Sequence, residues 1–178
     1  MPLFTHRLAR PQDIPRLREL MDAAISELQR GFLGDEQIAA SRMVMGLDSQ
    51  LIADATYFIV EAGKTFAGCG GWSRRATLFG GDHTPGREPT LLDPTTDPAR
   101  IRAMYTAPAF VRRGVARLIL GLCETAAAAE GFRAAEMAAT LAGEPLYLAC
   151  GYREIDRFTG TGGKVPVPLI RMRKQLAG

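Results

Sequence analysis

Two stretches of the chain carry residue types whose spacing could do chemistry. The first is Val111-Arg112-Arg113-Gly114-Val115-Ala116, where adjacent arginines and a glycine lie between a strand ended by Pro108 and a strongly periodic helix. The first amides of a helix have no partner inside it and carry a partial positive charge. A glycine there lets a phosphate come close to the backbone, so anion binding is the chemistry this turn offers. A plain capped helix start has the same appearance, and the spacing does not separate the two. No Gly-Lys-Ser/Thr follows and no GxGxxG is present, so the turn is neither a P-loop nor a dinucleotide fingerprint. The second stretch, Glu144-Pro-Leu-Tyr-Leu-Ala-Cys-Gly-Tyr152, places the phenol of Tyr147 on a short helix. A positioned phenol can donate a proton; it can equally be a core tyrosine with a satisfied hydroxyl.

The remaining reactive residues exclude more than they offer. Cys69, Cys123 and Cys150 form no CxxC pair, which argues against a disulfide framework or a zinc site. His6 and His83 are far apart, so a multi-histidine metal centre is excluded and no metal is expected. Cys150, beside Gly151, reads as a small buried residue rather than a nucleophile. The general base is not readable: Asp82, His83 and Glu136 are candidates, against a solvated loop for the first two and a sheet terminus for the third, and a chain of waters relaying the proton to bulk is the alternative. Trp72 and Tyr105 are either walls of a substrate cavity or core aromatics.

The elements that must position these residues follow from hydrophobic period and punctuation. Leu3 to Ala9 reads as a strand. Ile14, Leu17, Met21, Ala24, Ile25 and Leu28 then recur at helical spacing behind Asp13 as N-cap and Pro15, with Gly31 or Gly34 as the stop. A weaker helix is expected over Asp35 to Met45. Thr56 to Glu61 and Thr65 to Ser73 form a hairpin, and Gly68, Gly70 and Gly71 in its second strand imply that a ligand or another backbone comes close. Residues 74–99 form a long loop rich in glycine and proline, as functional lids often are. Arg100 to Thr106 is a strand. Arg113 to Glu130 is a helix with Val115, Leu118, Ile119, Leu122, Cys123 and Ala126 as its buried stripe and Gly131 as its end. Ala134 to Thr140 is a strand and Gly143 to Cys150 a short helix. Arg153 to Phe158 and Pro166 to Met172 are closing strands joined by the turn 159–164. This is mixed α/β with no internal repeat, expected as one domain over residues 1–178.

Strand, proline, aromatic, then Arg-Arg-Gly-Val-Ala opening an amphipathic helix resembles the core motif of the GNAT superfamily of acyl-coenzyme A-dependent N-acyltransferases. The run from Glu144 to Tyr152 resembles that family's second signature, at a matching distance from Gly114, and element order agrees over nearly the whole chain. Two positions depart from the pattern. Val111 stands where the family has Gln or Arg, and Ala142-Gly143-Glu144 lacks an Asn that bonds the pantetheine arm.

The resemblance implies a twisted, mostly antiparallel sheet with a splayed parallel pair, flanked by helices. It implies acetyl transfer from acetyl-CoA to a primary amine of a small molecule or protein by direct attack. The pantetheine arm would pair with the strand edge at Ala103 to Thr106, engaging Met104, Tyr105 and Thr106. A backbone N–H near Tyr105 would hold the oxyanion. The amides and side chains of Arg112, Arg113, Gly114, Val115, Ala116 and Arg117 would hold the pyrophosphate. Tyr147 would be the general acid. The acceptor site would be built from residues 30–50 and 74–99, with Arg74 or Arg75 available for an acceptor carboxylate. The alternative within the same fold is a module that senses acyl-CoA without turnover. The terminal strands pair across a homodimer in many members, but no exposed stripe in this sequence assigns one.

Composition agrees with an ordinary globular chain: 178 residues, 47% hydrophobic, 23% charged, net charge +3. No run approaches the roughly 20 apolar residues of a membrane span, and no signal-peptide core is visible, so a cytoplasmic protein without a membrane partner is expected. Lys64, Lys164 and Lys174 are the only lysines, so arginine dominates the basic residues; this suits phosphate contacts and also follows from genome base composition. Three arginines on one turn without interleaved aromatics make no nucleic-acid footprint.

Overall fold

The computed structural model describes residues 3–160 and 164–177. Seven strands form one sheet: β1 (Phe4–Leu8), β2 (Tyr57–Ala62), β3 (Thr65–Ser73), β4 (Ala99–Thr106), β5 (Ala134–Ala139), β6 (Arg153–Gly160) and β7 (Val167–Gln175), in the order β1-β2-β3-β4-β5-β7-β6. Every neighbouring pair is antiparallel except β4 and β5. That parallel pair is held at two positions only, Ala99 with Ala135 and Arg100 with Glu136. Beyond Arg100 the strands part, and β4 from Ile101 to Thr106 has no strand partner on that side. The closing turn expected over 159–164 falls in part on residues outside those described.

Among the described residues five α-helices flank the sheet: α1 (Ile14–Leu28), α2 (Asp35–Ser41), α3 (Ser49–Ala53), α4 (Val115–Ala129) and α5 (Glu144–Ala149). The second helix is shorter than its expected span to Met45, and α3 was not foreseen. Asp48 starts α3 by accepting the Gln50 amide at 3.0 Å, a capping signal too local for periodicity to reveal. Asp13 stands at the N-cap of α1 as expected, but its side chain makes no capping bond to the helix; its carboxylate accepts the Arg10 amide and both terminal nitrogens of Arg7, at 2.8 to 2.9 Å.

Residue alternation in β2 splits the core between the two sheet faces. Ile59 packs with Leu17, Met21, Ile25 and Leu51 on the α1 side, while Val60 packs with Val115, Ile119 and Cys123 on the α4 side. The buried stripe of α4 is Val115, Ile119, Leu120, Cys123 and Ala127, so it is rotated from the expected one; Leu118, Leu122 and Ala126 lie at its margin. The glycines of β3 explain the seat of α4. A methyl at Gly68 would lie 2.5 Å from Val115 Cγ1, and one at Gly70 2.8 Å from Ile119 Cγ2. At Gly68 and Gly70 the close neighbours are the helix and β4, through Val115, Ile119, Met104 and the Tyr105 carbonyl; at Gly71 it is the backbone of Thr56 and Tyr57, the close backbone that these glycines imply. Each fully buried aliphatic of this seam is worth about 1.5–3 kcal/mol. The seam thereby fixes the helix start against the free end of β4.

Candidate active site

The site begins where β4 and β5 separate. A cavity of about 680 Å³ opens between Met104, Tyr105 and Thr106 of β4 and Thr140, Gly143 and Tyr147 on the α5 side. The turn at 111–117 closes one end, and Ala24, Ile25 and Leu28 of α1 form part of its wall. Its free β4 edge is irregular by construction. Cys69 faces Tyr105 while Gly71 faces Arg102, so β4 holds one extra residue, and Ala103 takes a left-handed φ of 50°. A bulge of this kind re-aims the backbone groups that follow it.

The turn before α4 has two left-handed residues, Arg112 at φ 63° and Gly114 at φ 83°. The latter conformation is free for glycine; the former costs roughly 1 kcal/mol for arginine. The first bond shown at the α4 start runs from the Leu118 amide to Gly114 O at 2.9 Å. The amides of Val115, Ala116 and Arg117 precede it as helix-start donors without partners inside the helix, and all three residues line the cavity. Arg112 and Arg117 line the cavity, and both are exposed. Arg113 does not line it; its guanidinium lies 5.5 Å from the Phe110 ring centroid. The structure therefore gathers Met104, Tyr105, Thr106, Arg112, Gly114, Val115, Ala116, Arg117 and Tyr147 around one cavity and leaves Arg113 outside.

Tyr147 is 8% exposed and stands edge-on to Tyr152, with ring centroids 6.1 Å apart. Tyr152 donates its hydroxyl to Glu124 at 3.0 Å. No hydrogen bond among the described residues engages the Tyr147 hydroxyl, and burial pushes its pKa well above that of an ordinary phenol. It therefore keeps its proton at neutral pH. The ring occupies space that only glycine leaves open: a methyl on Gly143 would lie 2.8 Å from Tyr147 Cε2.

A second cavity of about 90 Å³ lies between β4, β5, β7 and the segments 44–46 and 78–80. Met45, Met104, Tyr105, Thr140 and Tyr147 line both cavities and so form their common wall. The Tyr105 hydroxyl accepts the Gly46 amide at 2.8 Å, pinning the loop over this junction.

The other candidates are engaged elsewhere. Glu136 is buried between Arg100 and Arg171, each at 2.8 Å, with Arg173 at 3.6 Å. Asp82 accepts from the Ser49 amide and hydroxyl, and His83 Nε2 lies 2.6 Å from the Arg42 carbonyl; both are exposed. Arg74 is bidentate to Glu130 and Arg75 bidentate to Asp54, so neither is free for an acceptor carboxylate. Trp72 packs edge-on against Phe132 in the core, not on a cavity wall. Burial pushes the Cys69 thiol up to about 12, and Cys123 is likewise raised. His6 is exposed on β1.

Sequence reasoning missed the support beneath the site. Arg102, buried in β4, donates to Asp48 at 3.0 Å and to the Gly80 carbonyl at 2.6 Å, and Arg87 joins Asp48 at 2.7 Å. This network holds the 74–99 loop over β4. No local signal pairs residues so distant in sequence. Among the described residues no cluster of metal-ligating side chains is present, and no helix is long and apolar enough to cross a membrane.

A splayed parallel pair with a bulge at the split and a helix start aimed into it is the arrangement of an acyltransferase fold, and the family comparison agrees. Residues 18–152 match the model of the acetyltransferase (GNAT) family. The chain belongs to that family and is an acyltransferase. Solved structures share the fold. A GCN5-related N-acetyltransferase from Rhodopseudomonas palustris is 19% identical, with TM-score 0.71 over 97% of this chain and 95% of that one. The PaiA N-acetyltransferase from Thermoplasma acidophilum, determined in complex with coenzyme A, is 12% identical, with TM-score 0.66 over 97% and 99%. A ribosomal-protein alanine N-acetyltransferase from Escherichia coli is 14% identical, with TM-score 0.61 over 99% and 96%. No curated protein matches the chain.

Proposed function

We propose that this chain, acting as one domain over its whole length, transfers an acetyl group from acetyl-CoA to a primary amine by direct attack, with Tyr147 as the general acid. The observation that carries this reading is the position of Tyr147 on the wall common to the two cavities. The larger cavity has the pyrophosphate donors at one end and the unpaired β4 edge along its side, which suits an extended thioester. The smaller one opens onto the same phenol and suits the amine.

In the reaction the neutral amine nitrogen bonds to the thioester carbonyl carbon, and the carbon–sulfur bond breaks. A main-chain N–H after the bulge, near Tyr105, holds the oxyanion that develops between these events, a contribution of roughly 3–4 kcal/mol. The leaving thiolate takes the Tyr147 proton. The proton shed by the new amide nitrogen returns, through solvent, to the phenolate, so no separate buried base is required. Glu136, Asp82 and His83, all engaged elsewhere, are not assigned that role.

The test is twofold. Calorimetric titration should show acetyl-CoA binding to the wild type and to Tyr147→Phe with similar affinity. Thiol release in the presence of a mixture of amines should then fall about 10²–10⁴-fold in the variant. Full activity in Tyr147→Phe would remove the phenol from the mechanism.

A further inference from the structure

The smaller cavity specifies its occupant more narrowly than a primary amine. Its walls are Val44, Met45, Leu78, Phe79, Met137 and Leu169, set around the β4 bulge. Phe79 leans on Phe158 of β6 at 5.8 Å between ring centroids, so the loop wall is docked to the sheet.

Charge is absent from this lining except for Arg102, and Arg102 is spent. It is 3% exposed and donates to Asp48, to the Gly80 carbonyl and, at 3.4 Å, to the Thr77 carbonyl. The carboxylates nearest in the chain to the lining segments are also paired. Asp48 holds Arg87 and Arg102, Asp82 takes Ser49 with Arg87 at 3.6 Å, and Glu136 takes its three arginines. A second ammonium on the acceptor would find no free anion here, and a carboxylate would find no free cation. Burying either without a partner is costly. At about 90 Å³ the cavity suits a chain of about three or four carbons.

We infer that the acceptor is a small primary amine on a short, uncharged aliphatic chain; this rests on the transferase reading above. The apolar walls act on protonation as well. Desolvation disfavours an ammonium, so the cavity admits the neutral amine that the attack requires.

Three amines of equal chain length separate the alternatives: n-butylamine, 4-aminobutyrate and 1,4-diaminobutane, with an alanyl peptide as a fourth acceptor. Butylamine should exceed each of the others in kcat/KM by about 100-fold. Leu78, half-buried on the cavity wall, supplies the second measurement. Leu78→Asp should lower kcat/KM for butylamine at least tenfold and raise it for 1,4-diaminobutane, while the acetyl-CoA Kd stays unchanged. Comparable or better turnover of either charged amine or of the peptide would overturn the inference and leave the transferase reading standing. So would acetyl-CoA binding without turnover of butylamine. Failure to bind acetyl-CoA at all would overturn the reading beneath it, and the inference with it.

Discussion

The hydroxyl of Tyr57 donates to the carbonyl oxygen of Ala103 across 2.7 Å, tying a buried phenol of β2 to the left-handed residue at the bulge of β4. The same hydroxyl lies 3.3 Å from Cys69 Sγ on the strand between them. Tyr57 thereby holds the backbone irregularity from which the free edge of β4 is presented to both cavities. Tyr57→Phe keeps the ring and leaves the carbonyl without its donor, at about 1–3 kcal/mol. At about 2–4 °C per kcal/mol for a chain of this size, Tm should fall by several degrees. Amide exchange at Met104 and Tyr105 should quicken; unchanged exchange there would show that the bulge holds itself.

Gly143 and Tyr147 form a second dependent pair. In Gly143→Ala the backbone is unstrained, since Gly143 has φ −83°, but the new methyl meets the Tyr147 ring. The expected outcome is a kcat at least tenfold lower with acetyl-CoA affinity within about threefold of wild type. Restored or unaltered kcat would show that the ring position is not limiting.

Arg112 combines an unfavourable backbone with a useful charge. Arg112→Gly should raise Tm, because the left-handed conformation is free for glycine. The same change should weaken acetyl-CoA binding several-fold and flatten its dependence on salt, since one phosphate-facing cation is gone. Thermal melts and titrations at two salt concentrations read the opposite signs directly.

Acid stability is set in part far from the site. The bidentate bond from Arg75 holds the Asp54 carboxyl below its usual value of 3.8, and Arg7 does the same for Asp13. Both folded values are depressed, so this stabilisation is fully present above the ordinary carboxylate range and is lost as pH falls through the lower folded values. Melting temperature should therefore be flat from pH 7 to about 5 and decline below about 4. Asp54→Asn should lower Tm at pH 7 and make the acid decline shallower; an unchanged slope would assign the decline to other groups.

Much of this protein was written in local pattern. The β-branched and aromatic run at 57–62, the helical recurrence at 14–28 and the Arg-Arg-Gly turn ahead of a periodic helix each follow from interactions within a few residues, which sequence spacing records. That turn and Tyr147 were legible for the same reason. The tertiary structure alone decided how these pieces meet. It seated α4 against Gly68 and Gly70, where the sequence says only that a ligand or another backbone comes close. It paired Arg74, Arg75 and Glu136 with partners 21 to 56 residues away, removing them from the chemistry. It placed segments 44–46 and 78–80 around one apolar cavity beside Tyr147. Ion pairing and cavity shape depend on contacts between residues remote in the chain, and only the folded arrangement brings those contacts into being.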